Sequence, residues 1–92
     1  MVRPIQFASR FPRTWKSLSQ TQKERILDII IELPNLMKNP HQHSGFGLRR
    51  LQGFAYYEAR IDLRWRLIMK IDSHEIVLFD VLNHDQVRRL IR

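Results

Sequence analysis

Residues 56–82 read YYEARIDLRWRLIMKIDSHEIVLFDVL, and the fold follows from how that stretch divides. Three runs rich in aromatic, aliphatic and β-branched residues, Tyr56 to Ile61, Trp65 to Ile71 and Glu75 to Leu82, are separated by Asp62-Leu63 and by Asp72-Ser73-His74. Runs of this kind between turn-forming residues are strands, and such short connections join antiparallel neighbours. A three-stranded meander is expected. Ile76 to Phe79 is apolar throughout, which makes the last of the three a central strand covered on at least part of both faces. With the first turn centred on Leu63, Arg60 stands opposite Arg66, and opposed residues project from one face of an antiparallel ladder. Like charges so placed destabilise a hairpin, so either an anion sits between them or a bulge or nearby carboxylate keeps them apart.

Upstream, the period changes. Phe11, Trp15 and Leu18 recur at helical spacing, and Pro12 suits a first helical turn. Ser19 and Gln22 stand three apart before Ile26, Ile30 and Leu33, the signature of a capping box opening a second helix. Pro34 and Asn35 are expected to end it. Two antiparallel helices therefore lie between about Pro12 and Leu33, preceded by a short strand at Ile5-Gln6-Phe7. A long connecting loop is expected from Met37 to Gly47, because Pro40, Gly45 and Gly47 interrupt it. Leu48 to Leu51 then pairs briefly as a strand.

Downstream, Asp85 is a candidate N-cap for a short basic helix carrying Val87, Leu90 and Ile91. The expected class is α+β: an N-terminal helical hairpin packed on a curved antiparallel β-sheet, with a short C-terminal helix. Ninety-two residues at 43% hydrophobic composition suit a single domain spanning 1–92. Cysteine is absent, which excludes disulfides, thiolate metal sites and thiol nucleophiles. No apolar run approaches the length of a membrane span, and the first residues lack the apolar segment of a signal peptide, so the expected compartment is cytoplasmic. Sixteen Lys and Arg against nine Asp and Glu leave a net charge of +7, which points to a polyanionic partner.

Several of these segments resemble the RelE/ParE superfamily of bacterial toxins from type II toxin–antitoxin pairs. Leu51-Gln52-Gly53 is similar to the family's Leu-Lys-Gly, and Asn39-Pro40 after an apolar helix fits as well. Tyr57-Glu58-Ala59-Arg60-Ile61 and Trp65-Arg66-Leu67-Ile68 resemble its Tyr-x-x-Arg-hydrophobic and aromatic-Arg-hydrophobic strands. Val81 to Val87 resembles the His-containing stretch that ends the last strand in one branch. The resemblance covers most of the chain and implies a small toxin neutralised by a cognate antitoxin, in a higher-order toxin–antitoxin complex. It also implies one of two activities: RelE-like cleavage of mRNA on the ribosome, or ParE-like poisoning of DNA gyrase without cleavage. An attenuated member that only binds its antitoxin is the third alternative.

RNA cleavage without a metal needs a base for the 2′-hydroxyl proton, cations around the phosphate, and an acid for the departing 5′-oxygen. Arg66 matches the family's sheet arginine and, with Arg60, is the expected phosphate holder, since guanidinium stays charged and binds two oxygens. The competing role for Arg66 is a solvated strand residue or a partner of Glu58. Histidine is the side-chain type best suited to moving protons near neutral pH, which makes His84 the candidate for that work, and Asp85 is placed to orient it. Arg49, Arg50, Arg88 and the loop residue His43 are the candidate RNA contacts. His41 and His43 without carboxylate or thiolate partners make a poor metal signature, so neither metal nor cofactor is expected. Two positions depart from the family pattern: Gln52 replaces a lysine, and Arg88 stands where tyrosine is common. No arginine replaces either as a proton donor at neutral pH.

Overall fold

The computed structural model describes residues 3–38, 45–51 and 55–90. In chain order it contains β1 (Ile5–Phe7), α1 (Phe11–Ser17), α2 (Gln20–Lys38), β2 (Arg49–Arg50), β3 (Tyr56–Arg60), β4 (Trp65–Ile71), β5 (Ile76–Asn83) and α3 (His84–Leu90). The five strands form one sheet in the order β1-β5-β4-β3-β2. β3, β4 and β5 make the expected antiparallel meander, β2 extends it antiparallel, and β1 pairs parallel with β5. The sheet is therefore mixed, where the sequence reading expected it antiparallel throughout. A parallel partner is distant in the chain and leaves no local pattern.

The two connections of the meander use one device. Asp62 Oδ1 accepts from the amides of Arg64 and Trp65, and Asp72 Oδ1 accepts from those of His74 and Glu75. An aspartate that bonds its own backbone two and three residues on closes a turn locally.

The α2 helix opens on the expected capping box: the Ser19 amide donates to Gln22 Oε1 at 2.9 Å, and the Gln22 amide donates to Ser19 Oγ at 3.1 Å. It does not stop at Pro34. Proline inside a helix removes one backbone bond and costs about 3 kcal/mol, yet Leu36 beyond it is fully buried and Met37 packs on the same core. Burying a leucine is worth about 1.5–3 kcal/mol, so packing of the last turn offsets the break. Met37 and Lys38, expected in the loop, are thereby helical.

One face of the sheet carries Ala59, Leu67, Met69, Leu78 and Val81 and packs on Phe11, Ile26, Ile29 and Leu33. The other face carries Ile68 and Leu82 against Leu51 and Val87, so α3 lies across it. A register shift between Ile68 and Met69 breaks the alternation of β5, so Phe79 and Asp80, though consecutive, both serve this second face. The central-strand expectation for residues 76–79 is met: β5 lies between β1 and β4 with packing on both sides.

Candidate functional site

The face covered by α3 becomes polar toward one end, and there the expected register is observed: Arg60 is the partner of Arg66. No bulge separates them, since the irregularity lies further along at Ile68. Neither forms a salt bridge with a carboxylate among the described residues, although Asp62 stands near enough to Arg66 for their charges to interact. Among the described residues the salt bridges are Arg49 with Glu58 and Arg10 with Asp80, so Glu58 pairs with Arg49 and not with Arg66.

Each arginine is held through the backbone. The Arg60 amide donates to the Phe46 carbonyl at 2.7 Å, and its carbonyl accepts from Arg25 Nε at 3.0 Å. Arg66 folds back over the preceding turn, its Nη1 donating to the carbonyls of Asp62 at 2.7 Å and Trp65 at 3.1 Å. Its remaining donors have no partner among the described residues. Desolvation opposes the charged form of Asp62, but hydrogen bonds from the Trp65 and Arg64 amides and from Gln22, with the nearby Arg66 charge, outweigh it. Together they hold the carboxyl below the usual aspartate range. The turn that shapes Arg66 is thus anionic at neutral pH.

Glu58 is the residue that sequence reasoning missed as part of the site. It lies two residues before Arg60 on the same face, and its side chain is 9% exposed beside an Arg49 side chain that is 68% exposed. The usable signal was its spacing, because Tyr56, Glu58 and Arg60 alternate onto one face of β3. Arg50 is placed differently. Its partner is Tyr57, so it falls on the opposite face from Arg49, Arg60 and Arg66.

His84 is the first residue of α3, immediately after the Trp65–Asn83 rung and two rungs from Arg66 with Leu82. The N-cap is Asn83 and not Asp85. The Asn83 amide donates to Gln86 Oε1 at 2.9 Å, and the Gln86 amide donates to Asn83 Oδ1 at 2.9 Å, a second capping box. Asp85 lies within the first turn, where a negative charge suits the helix dipole, and no hydrogen bond joins it to His84 among the described residues. Both side chains are exposed, as are Arg88 and Arg89 further along. His43, His41, Gln52 and Gly53 lie outside the described residues. Of the aromatic residues on β3 and β4, Tyr57 and Trp65 pack on the main core, while Tyr56 packs on Phe79 with ring centres 5.3 Å apart.

A second surface lies on the far side of the sheet. Phe7, Phe11, Trp15, Leu27, Ile30 and Leu78 line a groove of about 350 Å³. It shares Ile30 with a neighbouring hollow of about 620 Å³, which includes Ile5, Leu33 and Met37 and has Arg3 and Lys38 at its rim. Phe7 is 60% exposed on β1, the edge strand of the sheet.

No family model and no curated protein matches the sequence. Solved structures do match. The chain superposes on the RelB–RelE antitoxin–toxin complex from Methanococcus jannaschii with a TM-score of 0.67 at 18% identity, covering 95% of this chain and 99% of the other. The fold is that of the RelE/ParE-like toxins. The same holds for the Escherichia coli DinJ–YafQ complex, at TM-score 0.67 and 16% identity over 94% of this chain and 98% of the other. A YoeB/ParE toxin from Agrobacterium tumefaciens gives 0.65 and 18% over 88% and 98% respectively. The RelE/ParE-like scaffold agrees with the family read from the motifs, and the three helices and mixed five-stranded sheet are its architecture.

Proposed function

We propose that this chain is the toxin of a type II toxin–antitoxin pair and cuts ribosome-bound mRNA in the cytoplasm, with side chains alone handling the protons. The observation that carries this reading is the Arg60–Arg66 rung: two arginines opposed on one face with no salt bridge to either among the described residues, an arrangement that an incoming phosphate relieves. In the proposed step the 2′-oxygen attacks phosphorus and the bond to the 5′-oxygen breaks. One proton leaves the 2′-hydroxyl and one reaches the 5′-oxygen, giving a 2′,3′-cyclic phosphate and a free 5′-hydroxyl.

Arg66 and Arg60 hold the charge that grows on the phosphoryl oxygens. His84 moves a proton at the edge of the site, with Asp85 beside it in the first turn of α3. Glu58, released when a backbone phosphate takes Arg49, is the second group able to accept one. Arg49 and Arg88 bind the RNA backbone, Arg50 extends that contact from the opposite face of β2, and His43 is a further RNA contact.

The groove along β1 and α2 supports an antitoxin as partner. Its apolar floor, its cationic rim at Arg3 and Lys38, and the open edge of β1 suit an apolar segment flanked by acidic residues, and the net charge of +7 favours such a partner. The relatives named above include two solved with their antitoxins.

Primer extension on ribosome–mRNA complexes tests the reading. Wild-type protein should generate discrete cuts, and Arg66→Ala and His84→Ala should lose them while keeping the native circular-dichroism spectrum. Intact mRNA with the wild type, combined with inhibition of purified gyrase in a supercoiling assay, would replace it with the ParE-like activity.

A further inference from the structure

Arg25 sits on α2, 35 residues before Arg60, yet its side chain ends beside the arginine rung. Nε donates to the Arg60 carbonyl at 3.0 Å and Nη2 donates to the Gly45 carbonyl at 2.7 Å. The guanidinium carbon lies 4.3 Å from the centre of the Phe46 ring. Because the Arg60 amide donates to the Phe46 carbonyl, both backbone polar groups of Arg60 are engaged, one by the turn and one by the arginine that braces the turn.

Gly47 completes the contact. Its φ is +59°, which disfavours any side chain, and a Cβ there would approach Arg60 Nη2 to 3.3 Å. The guanidinium of Arg60 therefore lies against a residue whose conformation depends on the turn that Arg25 holds. The same turn leads into β2 and Arg49.

We infer that Arg25 is a positioning residue for the phosphate-binding rung: by joining α2, the Gly45–Gly47 turn and the end of β3, it fixes where the Arg60 guanidinium lies against Gly47 on the rung shared with Arg66. This rests on the proposed role of the rung in holding a scissile phosphate. Lysine cannot replace Arg25, because one flexible ammonium cannot reach two carbonyls in a fixed fork and stack on a ring.

The test compares turnover on ribosome-bound mRNA for wild type, Arg25→Lys, Gly47→Ala and Lys23→Ala. Arg25→Lys and Gly47→Ala should lower kcat by about 10- to 100-fold with KM changed less than about twofold, since small displacements of an oriented group cost about that much. Lys23→Ala, on the same helix and stacked on Trp15 instead, should match wild type. A second readout needs no cleavage: NMR signals of the Arg60 guanidinium during titration with uniformly 2′-O-methylated RNA. The shift on saturation should fall by half or more in Arg25→Lys.

Wild-type kcat in Arg25→Lys, a raised KM alone, or an unchanged Arg60 response would each overturn the inference. If Arg25→Lys does not fold, Phe46→Leu removes the stacking surface and is read against the same outcomes. A wild type that binds RNA without cutting, with an Arg60 response that depends on Arg25, ends the nuclease reading and leaves the positioning role standing. No RNA binding by the wild type ends both.

Discussion

Arg60 and Arg66 share a rung, and neither has a salt bridge among the described residues; opposed like charges cost an antiparallel ladder about 0.2–1 kcal/mol. Arg60→Gln should therefore stabilise the protein by about that much in urea unfolding while abolishing mRNA cleavage in the primer-extension assay. Stability and activity moving in opposite directions is what separates a rung built for a ligand from one built for the fold. The register was legible from sequence because it needs only the position of the turn, counted outward from Leu63. The burial of Glu58 was not, because it depends on Arg49 arriving from an edge strand two residues long, across a segment whose composition gives little pattern to read. The opposite faces of Arg49 and Arg50 follow from strand alternation, but only once that pair is known to be a strand.

At the scale of elements, the start of α3 carries His84, so the Asn83 cap sets where the imidazole begins. Asn83→Ala should cost about 0.5–2 kcal/mol of stability in urea and lower cleavage beyond the unfolded fraction, measured on the same samples. Sequence reading found the Ser19–Gln22 box and missed the equivalent Asn83–Gln86 box. Asp85 is also a good cap, and only the glutamine three residues after Asn83 decides between them. The β3–β4 turn gives a pH test. Asp62 has its folded titration point below the ordinary 3.8, so its contribution is complete above about that value and is lost as pH falls through the lower folded one. Asp62→Asn keeps the acceptor oxygen but removes the charge. The drop in urea midpoint between pH 5 and pH 3 should be smaller in the variant than in the wild type. Pro34 was misread for a different reason: local propensity marks a stop there, and the core contact of Leu36 overrides it.

For the whole molecule, the cationic face should make RNA binding strongly salt-dependent, and the dependence can be resolved by residue. Each phosphate contact to a single strand contributes about 0.7 to the slope of log affinity against log salt. Arg49→Gln and Arg66→Gln should each lower it by about that amount in fluorescence anisotropy, and an unchanged slope would remove that residue from the phosphate-binding set. The α+β order of elements was legible because the helical hairpin and the strand meander occupy successive stretches of the chain; the partner of β1 was not. That parallel pairing, with Ile5 beside Ile76 and Arg10 reaching Asp80 across 70 residues, has a consequence for synthesis. During translation the first strand has nothing to join until residues 76–78 have left the exit tunnel, and contacts so distant in the chain form slowly. The chain is thus held unfinished for most of its own production, and its sheet is completed only once synthesis is nearly over.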